Sequence, residues 1–236
     1  IHARHGYYWF HPCHEYPVPD GRINEVWAQT DMLLAIHKPD PTKSRGQYLD
    51  LLELSVKEDP ECPRNAFYYA RELSFHSKWH ESIEACKKYL NLPRATWENE
   101  RCYAYRVMGR CWTELGNAWE AEKAFHSAAS EAPNTREPWC ELAALMYRQE
   151  RWEECFAYAM RALRIKDRAL VYTCDPAVWG AQPHDYASIA AWRLGLKEIA
   201  LEQAKIACEK EPEDVRLRSN LEYIMKDMAG DGQKAA

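Results

Sequence analysis

A pattern of large and small residues that recurs about every 34 residues is the feature that most constrains the fold of this chain. In the clearest copy, residues 102–135, large residues, a glycine and a tryptophan precede small residues, a phenylalanine and a proline. These positions are Tyr105, Met108, Gly109, Trp112, Ala121, Phe125, Ala128 and Pro133. Small residues let two helices approach closely, and each hairpin buries its apolar stripe only against the next hairpin. The pattern therefore predicts a stack of helical hairpins.

Four copies of the pattern can be placed in the chain, at residues 63–96, 102–135, 136–166 and 181–213. An amphipathic segment at 214–228 suits a capping helix, and we expect residues 229–236 to be a flexible tail. The period and residue order resemble those of tetratricopeptide (TPR) repeats. The resemblance implies a mainly α fold, with a TPR-like α-solenoid of helical hairpins over residues 44–228.

Two insertions interrupt this register. One is LPRATWE at residues 92–98, and the longer one is KDRALVYTCDPAVWGAQP at residues 166–183. The longer insertion carries Tyr172, Cys174 and Trp179. Insertions in solenoids form loops on one face, which is often the binding face. Two alternatives follow: the loop belongs to a binding face, or its rings pack on the neighbouring hairpin.

Residues 1–43 differ from the repeats and are predicted to be the edge of a small α/β domain. Residues 32–38 are short, apolar and bounded by polar residues, which is typical of a buried strand. Upstream, GYYWFHPCHEYP at residues 6–17 is consistent with a zinc site, a packed loop or the edge of an active site. Imidazole and thiolate are zinc ligands, but the spacing matches no known structural zinc pattern. The potential ligands are His2, His5, His11, Cys13, His14 and Glu15.

The same region resembles the C-terminal portion of family 2 glycosyltransferases that carry TPR repeats behind a GT-A catalytic domain. The resemblance rests on Trp9, the pair His14 and Glu15, a predicted strand ending in His37, and the following SRGQYLDLL. It implies that Trp9 is buried beneath the edge of a catalytic sheet and that His14 and Glu15 belong to an active site. His14 would contact a divalent metal or the donor diphosphate. Manganese or magnesium and a nucleotide sugar are implied for the full-length enzyme.

The sequence lacks the parts with which such an enzyme transfers a sugar. It contains no DxD motif and no nucleotide-binding sheet, which together hold a metal against the leaving diphosphate. We therefore expect no cofactor and no activity in this chain alone, and we expect the repeats to position an acceptor or partner. The alternative function is a stand-alone TPR protein that acts as an interaction or self-assembling scaffold.

The first helix of each hairpin is expected to line a concave groove rich in arginine and aromatic residues. Guanidinium groups bind carboxylate or phosphate bidentately and stack on rings, so the groove suits an acidic peptide or protein, or a glycan acceptor. In the alternative interpretation, these arginines pair with Glu72, Glu114 and Glu141 on a solvated face. The predicted groove residues are Arg64, Phe67, Arg71, Phe75, Tyr103, Arg106, Arg110, Tyr147, Arg148, Asp185, Trp192 and Arg193.

Composition and charge exclude several other classes of protein. The net charge is −5 with no long run of either sign, so nucleic-acid binding is not expected. The apolar runs are too short to span a membrane. The nine cysteines form no CxxC pair and fall mostly in helical positions, which indicates reduced thiols and a cytoplasmic protein. Exposed solenoid ends would favour a homo-oligomer.

Overall fold

The computed structural model describes residues 5–13, 16–22, 24, 26 and 46–234 of the chain. In this part a two-stranded antiparallel sheet precedes ten α-helices. The strands are β1 (Tyr7–Phe10) and β2 (Tyr16–Pro19). The helices are α1 (Tyr48–Glu58), α2 (Pro63–Phe75), α3 (Trp79–Leu90), α4 (Glu98–Glu114), α5 (Ala118–Glu131), α6 (Glu137–Arg148), α7 (Trp152–Arg164), α8 (Gln182–Arg193), α9 (Lys197–Lys210) and α10 (Val215–Lys234). The predicted mainly α fold of helical hairpins is confirmed.

The helices pair as four hairpins within the repeats found in the sequence. Unit one is α2 and α3, unit two is α4 and α5, unit three is α6 and α7, and unit four is α8 and α9. A single helix, α1, precedes them, and α10 follows. Each unit packs its helices together and also contacts the next unit, so the chain is a TPR-like solenoid.

The turn inside each unit has the same backbone geometry. One residue there has a left-handed φ, of 57° at Ser77, 74° at Gly116, 56° at Glu150 and 75° at Gly195. The next backbone N–H reaches back into the first helix; Asn117, for example, donates to the carbonyl of Trp112 at 2.9 Å. This arrangement satisfies a carbonyl at the helix end. Glycine adopts such a φ without strain, so two of the four turns carry an unfavourable residue.

Small residues allow the two helices of a unit to pack closely. Ala121 and Ala128 are fully buried in unit two. At Gly109 on α4 the ring of Phe125 on α5 occupies the space that a side chain would need, with its Cδ1 atom 2.6 Å from where a Cβ would lie. The glycine of the repeat pattern is therefore required by packing as well as by sequence periodicity.

The first helices of the units form the inner side of the solenoid. Helix α4 contacts both α2 and α6, and α6 also contacts α8. We call the exposed faces of α2, α4, α6 and α8 the inner surface. The second helices lie outside them, so side chains on the two kinds of helix belong to different surfaces.

Helix α10 closes the C-terminal end of the stack. It buries Leu217 against unit four, together with Ile224. The buried carboxylate of Asp185 accepts a hydrogen bond from Arg216 at 2.7 Å and another from Asn220 at 3.3 Å. The helix continues to residue 234, so most of the segment expected to be a flexible tail is helical.

The N-terminal hairpin is small and attached to the solenoid through His11. The imidazole Nδ1 of His11 lies 3.1 Å from the side-chain nitrogen Nδ2 of Asn65 on α2. Trp9 is 68% exposed, so the expectation that it is buried beneath a sheet is wrong. Among the described residues the sheet has two strands and no second layer lies over the Trp9 ring, which accounts for its exposure. The predicted strand at 32–38 lies outside the described residues.

All nine cysteines are free thiols. Six of them, including Cys13 in the hairpin, are buried. Burial raises the pKa of Cys155 to about 12 and that of Cys102 to about 11. These thiols therefore act as small apolar side chains in the core. Among the described residues no helix is both long and apolar enough to cross a membrane.

Candidate functional site

Part of the inner surface is covered by the chain itself. We call residues 165–175, which follow α7, the strap. The ring of Tyr172 in the strap lies 5.4 Å from that of Trp97 and stacks at 6.4 Å on that of Tyr68. It also contacts the ring of Phe67, and its hydroxyl donates a hydrogen bond to Glu100. Burial and this bond raise the pKa of Tyr172. The strap thus reaches from unit three back to unit one.

The strap also covers the centre of the predicted groove. Phe67 and Arg106 are only 1% and 2% exposed. The guanidinium of Arg106 lies 3.5 Å from the carbonyl of Thr173, and its nearest carboxylates belong to Glu141 at 3.4 Å and Asp175 at 3.9 Å. The prediction that Phe67 and Arg106 face an open groove is therefore wrong, because a loop from another unit fills the space above them.

In unit one, Arg64 and Arg71 place their guanidinium groups over aromatic rings. Arg71 lies 4.7 Å from the centre of the Tyr68 ring and also contacts Phe75. Arg64 lies 5.5 Å from the same tyrosine. Tyr103 packs between Phe67 and Arg106 and is partly buried. This half of the inner surface is an aromatic and cationic cluster that the strap already occupies.

The structure resolves the two alternatives for the long insertion in an unexpected way. Its rings do pack on the solenoid, but Tyr172 packs on unit one, two units away, rather than on the neighbouring hairpin. Trp179, in the short 3-10 helix Pro176–Trp179, instead stays next to unit three, where it lies 4.0 Å from the guanidinium of Arg136. Sequence position alone could not show that Tyr172 packs on a distant unit while Trp179 packs beside unit three.

An open pocket of about 200 Å³ lies at the other end of the inner surface, between α6, α8 and α10. The pocket is lined by Tyr147, Ile189, Trp192, Arg193, Asn220, Tyr223 and Ile224. Tyr147 is 37% exposed and Tyr223 is 57% exposed, so the rings are accessible. Trp192 and Tyr223 meet edge to face at 5.1 Å. We call these residues the open pocket. Arg148, the residue after Tyr147 on α6, lines a separate small cavity with Arg110 and Glu141.

Arg193 gives the open pocket its charge, and Arg148 is a second exposed cation one residue from Tyr147. Arg193 lies 5.1 Å from the rings of Trp152 and Trp192. Within residues 46–230, the ion pairs and hydrogen bonds given by the structure join neither Arg193 nor Arg148 to a carboxylate. Their donors are therefore available to an acidic group from outside, and guanidinium is well suited to bind one.

Arg110 differs from these two arginines. Its Nε donates to Glu141 at 2.7 Å, and Arg106 shares the same carboxylate. The alternative interpretation, in which groove arginines pair with nearby acids, thus applies to Arg106 and Arg110 in the middle of the surface. It does not apply to Arg148 or Arg193. Tyr223 and Asn220 were missed by the sequence analysis because α10 was treated only as a cap, and Ile189 on α8 was missed as well.

Buried polar contacts fix the position of α10, which forms one wall of the open pocket. The indole Nε1 of Trp192 lies 3.4 Å from a carboxylate oxygen of Asp227 on α10, and Lys197 donates to the same oxygen at 2.8 Å. Asp185, predicted as a groove residue, is buried and holds Arg216 of the same helix. Burial raises the pKa of Asp185, although Arg216 and Asn220 act in the opposite direction.

The predicted metal and catalytic candidates, His14 and Glu15, lie outside the described residues. Their assignment to a divalent metal or to a nucleotide sugar therefore stays a prediction. Among the residues that the structure describes, no group of three or more His, Cys, Asp or Glu side chains has the arrangement of a metal site.

No family model matches the chain, and no curated protein matches it. Solved structures do match. The structure of the APC/C hetero-tetramer Cut9–Hcn1 is 13% identical with a TM-score of 0.60, over 78% of this chain and 33% of that chain. YrrB, described as a TPR protein with an unusual peptide-binding site, is 15% identical with a TM-score of 0.58, over 75% of this chain and 84% of its own. PilW, a type IV pilus biogenesis factor, is 16% identical with a TM-score of 0.59, over 75% of this chain and 74% of its own.

These similarities concern the fold. The chain spans about a third of the chain it matches in the Cut9–Hcn1 structure, and most of YrrB and PilW. None of the comparisons supports the resemblance to family 2 glycosyltransferases. The helical hairpins, their period and these neighbours together show that the chain has the fold of a TPR protein.

Proposed function

We propose that this chain is a protein-interaction module that binds an acidic peptide segment of a partner at the open pocket. The observation that carries the proposal is a pocket with two exposed rings and one half-buried ring, lined by Arg193 and followed on α6 by Arg148. Neither arginine has a carboxylate partner within residues 46–230. An apolar or aromatic side chain of the partner would fill the pocket between Tyr147, Trp192 and Tyr223. Aromatic and arginine side chains are the residues that most often dominate such interfaces.

The position of the strap supports this choice of site. In units one and two the strap already covers Phe67, Tyr68 and Arg106, whereas the open pocket in units three and four and α10 is accessible to a partner. The peptide-binding site for which YrrB is described supports peptide binding as the general mode, since the two proteins share a fold. The glycan acceptor and the sugar-transfer chemistry have no comparable support.

The experiment is a peptide array of 12-residue segments in which acidic, neutral and basic sequences carry one tyrosine or leucine. Binding is measured for the wild-type chain and for Arg148→Glu/Arg193→Glu. We expect acidic segments to bind the wild type and to lose at least about tenfold in affinity with the double variant, because both charge contacts become repulsive.

The matched control is Arg161→Glu, an exposed arginine on α7 whose guanidinium lies over Trp139, away from the open pocket. It changes net charge in the same direction and should retain binding. Equal loss in Arg161→Glu and in the double variant would show that net charge, rather than the open pocket, controls binding, and it would contradict the proposal.

A further inference from the structure

A second groove lies on the other side of the solenoid, between α7 and α9, the second helices of units three and four. It has a volume of about 590 Å³. Its lining residues are Arg136, Met160, Leu163, Arg164, Lys166, Trp179, His184, Gln203, Ile206 and Lys210. We call it the outer groove. Four of these residues are cationic, one is histidine and none is acidic.

The most unusual member of the outer groove is Arg136. It is only 7% exposed, and its hydrogen bonds go to backbone carbonyls, those of Ile165 at 2.8 Å and Val178 at 3.2 Å. No carboxylate among the described residues forms an ion pair with it. A buried charge without a counter-charge is unfavourable. Trp179, whose ring lies 4.0 Å from this guanidinium, also has a buried Nε1 donor that no described residue satisfies.

The neighbouring carboxylates are turned away from the outer groove. Glu211 accepts a hydrogen bond from the backbone nitrogen of Ala181 at 3.3 Å. Asp167 lines a separate small cavity beneath the strap. Arg164, Lys166 and Lys210 are exposed and form no ion pair among the described residues. The acid nearest Arg136 in sequence, Glu137, accepts a hydrogen bond from the backbone nitrogen of Asp175 at 2.9 Å and forms no ion pair with Arg136. Its charge offsets only part of the repulsion among the cations of the outer groove, because the pKa of Arg136 is still lowered by burial.

The cations of the outer groove also act on His184. Burial lowers its pKa, and the charges of Lys210, Arg136 and Lys166 lower it further, while a hydrogen bond to Gln203 opposes them. Its Nδ1 lies 2.8 Å from the Gln203 side-chain oxygen. Between the adjacent pair of second helices, α5 and α7, Arg151 is instead paired with Glu122 at 2.7 Å. The excess of positive charge is thus a property of the outer groove and not of every unit.

We propose that the outer groove is a binding site for phosphoryl groups, independent of the open pocket. Arginine and lysine together, one arginine being prepositioned by backbone carbonyls, match the several oxygens and two negative charges of a phosphoryl group. The group is carried either by a free phosphate compound or by a phosphorylated protein segment. In both cases the phosphoryl oxygens supply the ion-pair partner that Arg136 lacks among the described residues.

The test uses two probes at constant ionic strength: inorganic pyrophosphate, and a Gly-Ser peptide with one phosphoserine beside its unphosphorylated twin. Calorimetry measures affinity, and NMR follows the imidazole of His184. We expect binding to raise the pKa of His184, because an anion offsets the neighbouring cations. His126 on α5, which lies 3.9 Å from Glu122, is the internal reference and should not shift.

Arg164→Gln/Lys210→Gln removes two exposed cations without touching Arg136. We expect it to weaken binding by about tenfold for each charge. Arg161→Gln, on the same helix as Arg164 but outside the groove, should leave binding unchanged. Binding of pyrophosphate identifies a free phosphate compound as sufficient, and binding of the phosphopeptide alone identifies a protein source. Binding of neither probe, or equal loss in the two variants, overturns the proposal.

Discussion

At the scale of single residues, Gly109 shows most directly how the repeat pattern is enforced. The ring of Phe125 occupies the volume of a side chain at this position. We expect Gly109→Ala to lower the free energy of unfolding by about 1–3 kcal/mol, since overpacking forces the two helices apart. Urea unfolding measures the change.

Two variants check that explanation of Gly109. Adding Phe125→Leu should recover part of the stability lost in Gly109→Ala, because it frees space beside the new methyl group. Gly230→Ala on α10, where a Cβ meets nothing within 4 Å, should not destabilise the chain. A Gly109→Ala protein as stable as the wild type would contradict the packing argument.

Asp185 is the second residue with a measurable individual role. Burial raises its pKa above the ordinary value of 3.8. Since the folded chain then holds this proton more tightly than the unfolded chain, its contribution to stability is greatest below the unfolded pKa. That contribution falls as pH rises through the folded pKa. Asp185→Asn cannot titrate and should lack this component.

The difference in unfolding free energy between wild type and Asp185→Asn should therefore move in favour of the variant as pH rises from about 4. Parallel urea titrations at several pH values measure it. Asp214→Asn is the comparison, because Asp214 lies at the start of the same contact region and is less buried than Asp185. A difference that is constant with pH would show that Asp185 is not perturbed.

At the scale of elements, the four inner turns allow an internal comparison. Gly116 and Gly195 carry the left-handed φ in units two and four, whereas Ser77 and Glu150 carry it in units one and three. We expect Glu150→Gly to stabilise the chain by about 0.5–1 kcal/mol, because it removes the steric strain of a left-handed φ. Thermal unfolding checks it. Destabilisation would mean that the side chain of Glu150 compensates for the strain.

The strap gives the second prediction for an element. Tyr172→Ala removes the ring contacts with Trp97, Tyr68 and Phe67, and we expect faster hydrogen exchange in residues 166–175 and in the N-terminal part of α4. Leu170→Ala, at a residue of the same strap that is 90% exposed, should leave exchange unchanged. Equal exchange in the two variants would show that the strap is not held by Tyr172.

Much of the element structure could be predicted from the sequence, but the coverage of the surface could not. The positions of Ala121 and Phe125 fix the helical hairpins because a local, periodic pattern determines which faces are buried. The path of the strap depends on contacts between residues as far apart as Glu100 and Tyr172, which no periodicity encodes. For that reason Arg106 was assigned to an open groove although it is buried. The open pocket was partly found, through Tyr147 and Trp192.

At the scale of the whole molecule, unit four depends on α10 for its closure. Leu217 and Ile224 are 2% and 3% exposed, and they pack against residues of unit four. Leu217→Ala/Ile224→Ala should destabilise the chain by several kcal/mol and should increase hydrogen exchange in α8 and α9 more than in α2 and α3. Met225→Ala, at a residue that is 52% exposed, is the control. A uniform increase along the chain would contradict this local dependence.

When a solenoid is pulled at its ends, its repeat units separate from one another elastically. The contact between Tyr172 and unit one joins two units that are not neighbours along the stack, so units one to three cannot separate without breaking it. Stiffness is therefore unequal along the axis. Stretching and bending should be concentrated between unit three and unit four with α10. The open pocket spans this boundary, since Tyr147 lies on α6 and the other pocket residues lie on α8 and α10, so the site that adapts to a partner is also the most compliant place in the molecule.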